Sequence, residues 1–177
     1  MTNPELGTIE TAPRKANLTM SLVLRNLSFT IVVPGLGGVY VPWLILKQHG
    51  GSLRPVAWYA LAVIAGGLVL YFSCLWFFGA VGRGTPGVWD APRSVVTVGP
   101  YRWVRNPIYI GALLIVFGEA WLFVSVDLVL YAAALAVAFH VLVIGYEEPR
   151  LRGRFGKNYE AYRRAVLRWI PRPPKTS

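Results

Sequence analysis

Four apolar stretches constrain what this chain can fold into more than any other feature. They run from about Leu22 to Leu46, from Val56 to Val81, from Pro107 to about Val124 and from about Val126 to Gly145. A hydrocarbon core of roughly 30 Å takes about 20 helical residues to cross. Lipid offers the backbone no hydrogen bonds, so a crossing segment must close its own. Stretches of this length do so as helices rather than barrel strands. The predicted fold is an all-α integral membrane protein with about four transmembrane helices, a single domain over residues 1–177. Charged residues make up only 15% of the chain, against about 25% in ordinary soluble domains.

Local signals refine each stretch. The first carries Arg25, then Pro34-Gly35, Gly37-Gly38 and Pro42. Proline inside a helix removes a hydrogen bond and bends it, so a kinked or two-part helix is predicted. Only about Ser125–Asp127 separates the third stretch from the fourth, which requires a tight antiparallel hairpin. Beyond the fourth, Phe155, Tyr159, Tyr162, Val166 and Trp169 recur at three- and four-residue steps. Lys157, Arg163, Arg164 and Arg168 lie mostly off that stripe. The pattern predicts a C-terminal amphipathic interfacial helix over Arg150–Arg168, ended by Pro171, Pro173 and Pro174. Met1–Arg14 is polar and lacks the apolar core of a signal peptide; residues 1–18 are expected to form a disordered tail.

The net charge of +10 fits a polybasic surface against anionic headgroups, not nucleic acid. Nine of the 18 Lys and Arg residues follow the fourth stretch, four lie between the second and third, and three precede or open the first. Only Lys47 and Arg54 fall in the first loop, and none in the third. The positive-inside rule therefore predicts cytoplasmic termini. It also puts Val98–Tyr109 and Tyr146-Glu147-Glu148 on the same side. One cysteine, Cys74, excludes an intramolecular disulfide and a cysteine zinc site. Two histidines predicted on opposite sides make a histidine metal centre improbable, so no metal is expected.

The segment VGPYRWVRNPIY (98–109) is too rich in chemistry for a connecting loop. Pro107 suits a helix start, and the free amides there, with Arg105 and Asn106, could hold a carboxylate or phosphate. Tyr101, Trp103 and Tyr109 offer flat faces to an adenine or a cation. The plainer reading is an aromatic belt with snorkelling arginine. That reading accounts for Trp103 and Arg102 but does not require Gly99-Pro100 or Asn106-Pro107. Glu147-Glu148 stand at a helix end, where negative charge is disfavoured. A cation must offset them, either Arg105, Arg150 or Arg152 or a cationic ligand group. His140 is a buried-histidine or catalytic candidate. Glu119 is taken as structural. A ligand combining carboxylate, ammonium, sulfonium and adenine would use all these parts, and S-adenosylmethionine is such a ligand.

The blocks GPYRWVRNPIYIG (99–111), YEEPRLRGRFG (146–156) and NYEAYRRAVLRWIP (158–171) resemble the isoprenylcysteine carboxyl methyltransferase family, which is related to membrane phospholipid methyltransferases. The likeness covers roughly Thr85 to Pro171, with a cofactor-binding core over 85–171. One departure is Asn106, where the family carries histidine; Asn keeps hydrogen-bonding capacity but no charge, and R-N-P looks like a bacterial variant. The resemblance implies S-adenosylmethionine as cofactor, held by Val96, Tyr101, Arg105, Asn106, Pro107, Tyr109, Glu147 and Glu148. It also implies a lipophilic, membrane-resident acceptor entering between helices, and a location in a bacterial inner membrane. Catalytic candidates are Glu148, His140 and Arg150. A carboxylate acceptor would need no base, whereas a lipid amine would need Glu148 or His140. Two other classes stay open: a four-helix transporter using Glu119 or His140, and a nicotinamide-dependent membrane reductase. A lipid-binding scaffold is a further alternative.

Overall fold

The computed structural model describes residues 28, 34–52, 58–82 and 95–173. The expected tail and nearly all of the first apolar stretch before Pro34 lie outside the described residues. Within them the chain is all helical, with no strand.

Helix α1 is Val41–His49, preceded by a π-helical turn at Leu36–Tyr40. The kink expected here is not a break. Pro42 follows directly on the π turn, and Tyr40 and Val41 keep helical backbone angles, so the helix runs on past a proline that cannot supply its N–H. The glycine-rich segment widens into the π turn instead. Gly50, at φ 78°, ends α1.

Helix α2 is Trp58–Phe77, running on through a π turn at Phe78–Gly82. Helix α3 is Pro107–Leu122, and α4 is Val126–Leu142. The fourth apolar stretch was expected to end at Gly145. Instead α4 continues through a π turn at Val143–Glu147 into α5, Glu148–Ala165. The C-terminal amphipathic helix is thus a prolongation of α4, interrupted only at Gly156, whose φ of 47° leaves the helical region. It stops at Ala165, three residues before its expected end, because Val166 is extended.

Two helical segments among the described residues are long and apolar enough to cross a membrane. One is Trp58–Ala80 and the other lies in Val126–Ala165. At 16 residues, α3 is shorter.

Helices α2 and α3 pack antiparallel along a seam of small residues. A Cβ built on Gly67 would lie 2.8 Å from the Gly111 carbonyl, and one on Gly111 3.0 Å from that of Gly67. One heptad away, a Cβ on Gly118 would lie 3.2 Å from the Ala60 carbonyl. In lipid, helices gain little from hydrophobic exclusion, and small residues let backbones approach for dispersion contact. The space that Gly111 provides is therefore taken by α2.

The α3–α4 hairpin is as tight as predicted. Val124 adopts φ 47°, and the Ser125 Oγ accepts from the Leu128 amide at 3.3 Å, capping α4. At this end His49 Nδ1 lies 3.1 Å from Asp127, and the Ser52 amide donates to the Phe123 carbonyl. The opposite end holds the start of α3, the end of α4 and everything after it.

Candidate functional site

At that opposite end the chain before α3 and the chain after α5 are tied together by backbone. Gly99 opens a 3₁₀ turn, Gly99–Arg102, at φ 58°. A Cβ there would fall 2.2 Å from the Phe77 ring, so conformation and space both demand glycine. The turn aims Tyr101 into a core with Tyr71, Cys74, Val96 and Ile108. Val96 and Tyr101, expected at the cofactor, are thus packed against α2.

After α5, residues 166–172 run back across the start of α3 as a strap. The Arg105 amide donates to the Leu167 carbonyl at 2.9 Å, and the Arg172 amide to that of Trp103 at 2.8 Å. The Asn106 side-chain amide donates to the Arg168 carbonyl at 3.1 Å, and the Tyr162 hydroxyl to that of Tyr101 at 2.8 Å. Asn106 therefore spends one of its two amide N–H donors on the strap. Pro107, buried, starts α3 beneath it.

Two adjacent glutamates have different surroundings. Glu148 is 4% exposed. Arg168 donates to both its oxygens, Nε at 2.7 Å and Nη2 at 3.0 Å. Arg105 Nη1 lies 3.0 Å away and Arg152 Nη2 3.7 Å. Burial would push the Glu148 carboxyl up. The Arg168 hydrogen bonds and the Arg105, Arg168 and Arg152 charges outweigh it, and the pKa lies below the usual carboxylate value. Of the partners expected for the pair, Arg105 and Arg152 are found. Arg168, read from the sequence as part of a basic face, is the partner that sequence reasoning missed.

Glu147 ends the π turn, beyond the apolar part of the helix, and accepts a hydrogen bond from the Tyr109 hydroxyl. Burial and the neighbouring Glu148 charge together push its carboxyl above the usual value, against the Tyr109 bond. Tyr109 is flanked by Phe139, ring centroids 4.6 Å apart, and Trp169 at 6.5 Å. The Trp169 indole N–H donates to His140 Nδ1 at 3.0 Å. His140 thus holds the strap and is itself exposed. Arg150 is also exposed, lying over the Tyr146 ring and donating to its hydroxyl.

Arg105 has the most chemical capacity left. Its side chain is 9% exposed; Nη1 is ion-paired with Glu148 at 3.0 Å, the Tyr159 hydroxyl hydrogen-bonds with the guanidinium, and Nε is buried without a partner. A buried guanidinium with an unpartnered Nε donor suits an anion. The Tyr109–Glu147 pair suits a cation.

Beyond Tyr109 an apolar cavity of about 290 Å³ opens between the helices, lined in part by Gly38, Phe72, Ala112, Leu135 and Phe139. Tyr109 belongs to both the polar cluster and this cavity. Glu119, with one buried carboxylate oxygen unpartnered, lies near the hairpin end of α3, away from this cluster.

The family of phospholipid methyltransferases matches the chain over residues 56–158, more than half of its length. That match includes α2, α3, α4 and the Glu147-Glu148 pair, and stops short of the strap. No curated protein and no solved structure matches the chain.

Proposed function

Because the chain belongs to the phospholipid methyltransferase family, and so is a membrane methyltransferase, we propose that it moves the methyl group of S-adenosylmethionine onto a carboxylate of a lipophilic, membrane-resident acceptor of isoprenylcysteine-like type. The observation that carries this reading is a buried guanidinium whose Nε donor has no partner, Arg105, at the same end of the helices as a carboxylate bound by a single tyrosine, Glu147. The cofactor's amino-acid end is a carboxylate beside an ammonium, and these two residues match it in charge.

In this reading Arg105, its Nη1 held by Glu148, would offer its remaining donors to the carboxylate, and Glu147 would hold the ammonium. Tyr109 orients Glu147 through its hydrogen bond. Phe139 and Trp169 cover Tyr109 and keep water out, so that the site's charges act in a low dielectric. Glu148 is a positioning residue that fixes Arg105 and ties in the strap, and Asn106 supports the strap from the other side. His140 acts through Trp169. Arg150 is left at the surface, where headgroups or the acceptor's polar end would meet it. The charge distribution favours a cytoplasmic site.

When bound, S-adenosylmethionine supplies an electrophilic methyl: a C–O bond forms at the acceptor as the C–S bond breaks and its electrons stay on sulfur. A carboxylate acceptor is already ionised at neutral pH, its ordinary pKa being about 4, so no protein base is needed. Alignment and exclusion of water are then the protein's main contributions.

A second reading, N-methylation of a phospholipid headgroup, is favoured by the family match. It is also favoured by the raised carboxyl of Glu147, a group able to accept the proton that an amine must shed. Incubating the protein with methyl-labelled S-adenosylmethionine and a membrane lipid extract separates the two. Methyl esters release volatile methanol in alkali, whereas N-methyl groups do not. Absence of label in any lipid-soluble product would sink both.

A further inference from the structure

We infer that the apolar cavity beside Tyr109 takes one apolar chain of the methyl acceptor, and that Gly38 on the π turn before α1 is a specificity-determining residue for its length. This rests on the methyltransferase reading above, because the cavity's significance comes from its continuity with the Tyr109–Glu147 pair.

Three observations carry it. First, the lining includes no charged side chain; its polar side chains are the tyrosines Tyr71 and Tyr109, of which Tyr109 bonds to Glu147. An amphiphile seated there would keep its polar end at Tyr109 and Glu147 and its tail among Phe72, Ala112 and Leu135. Second, a volume of about 290 Å³ lies just under the roughly 300–1,000 Å³ of sites for small molecules. That space suits one chain, and the two tails of a diacyl lipid would not both fit. Third, one wall is made of backbone. Pro34, Gly35, Gly37 and Gly38 all line the cavity. The Tyr131 hydroxyl on α4 donates to the Gly37 carbonyl at 2.7 Å, fixing that wall to the hairpin.

Gly38 differs from the seam glycines in a telling way. A Cβ built on it would meet nothing within 4 Å, and its φ does not require glycine. Neither backbone conformation nor packing demands the missing side chain. What its absence provides is cavity space, and a larger residue would fill the cavity without displacing a helix. Gly66 on α2 also has open space around an added Cβ, but it is exposed and absent from the lining. It serves as the matched control.

The test uses the full chain in nanodiscs of dioleoylphosphatidylcholine. Dansyl-undecanoate is titrated, then displaced by octanoate or palmitate, for the natural protein and for Gly38→Leu and Gly66→Leu. The expected result is saturable binding despite the excess of diacyl lipid. Gly38→Leu should weaken displacement by palmitate at least tenfold and leave octanoate unchanged, and Gly66→Leu should match the natural protein. Ala112→Val narrows the cavity from α3 and should act in the same direction, which covers a Gly38→Leu protein that fails to fold. No saturable binding, or the same palmitate preference in the cavity variants, would overturn the inference. S-adenosylmethionine is titrated into the same samples. Its failure to bind the natural protein would overturn the proposed activity, while the chain-length result would still decide the cavity.

Discussion

Arg168 and Glu148, twenty residues apart, meet as a fork: Nε to Oε1 at 2.7 Å and Nη2 to Oε2 at 3.0 Å. Between them lie the rest of α5, the non-helical backbone at Gly156 and the extended Val166. The pair therefore closes the C-terminal strap onto the junction of α4 and α5, where Asn106 and Arg105 also hold it.

Lysine cannot replace this arginine. An ammonium is a point charge, whereas the guanidinium presents two parallel donors to a carboxylate. Arg168→Lys should cost about 1–2 kcal/mol of strap docking, discounted for the partial exposure of Arg168. Limited trypsin digestion in detergent, followed by mass spectrometry, reads this directly. Cleavage at Arg163 and Arg164 should accelerate several-fold while cleavage rates elsewhere hold. Equal rates in the two proteins would mean that the backbone bonds alone secure the strap.

The two glutamates should separate cleanly on substitution. Glu148→Gln leaves the buried Arg105 without its counter-charge, and breaking a buried pair costs about 3–5 kcal/mol. Thermal unfolding in detergent should show a large loss, or the protein should fail to accumulate. Glu147→Gln keeps an oxygen to accept from Tyr109, and stability should change by less than about 1 kcal/mol. Its affinity for S-adenosylmethionine should nonetheless fall at least tenfold, or about 1.4 kcal/mol. If calorimetry found the cofactor bound normally by Glu147→Gln, the assignment of Glu147 to the ammonium would be wrong.

The small-residue seam predicts a different failure. In Gly111→Val the new side chain would meet the Gly67 carbonyl and the Tyr71 amide, each 3.0 Å from its Cβ. Backbone cannot move aside as a side chain can, so α2 and α3 must separate. Overpacking of this kind costs about 1–3 kcal/mol, and the melting point should drop. Gly66→Ala, at an open position, should leave it unchanged or raised through helix propensity. A melting point for Gly111→Val equal to that of the natural protein would show that the seam is not tight in the membrane.

Much of this arrangement was legible in residue pattern. Apolar length and the short link at Ser125–Asp127 specified helices and the hairpin, because lipid leaves the backbone no alternative. The adjacency of 98–109 to Glu147-Glu148 followed from topology. The division of labour within the pair did not. Two identical side chains diverge because a π turn separates their environments, and a π turn has no residue pattern as plain as a proline or an N-cap. Arg168 and Trp169 looked like parts of an amphipathic face. Their true positions depend on Val166 turning extended, a tertiary outcome fixed by bonds to residues 103–106. Glycine was also ambiguous: Gly111 gives its space to α2, whereas Gly38 gives its space to a cavity, and only packing distinguishes them.

The last prediction concerns pH, where the glutamates pull in opposite directions. Glu148 has a folded pKa below its unfolded value of about 4.3. Its contribution to stability is therefore fully present above that value and is lost as pH falls through the folded one. Glu147 has a raised folded pKa. Its protonated form is the favoured one, and the associated stability is lost as pH rises from the unfolded value through the folded one. The expected melting curve in detergent falls steeply below about pH 4. That acid limb should survive in Glu147→Gln and vanish in any folded Glu148→Gln protein. Affinity for S-adenosylmethionine should rise with pH through the Glu147 window, since an ionised carboxylate there gains the ammonium as its partner. Glu147→Gln should flatten that rise. An acid limb unchanged by Glu148→Gln would remove the arginine cluster from the account of stability, and cofactor affinity independent of pH in the natural protein would argue against Glu147 as the cation's ligand.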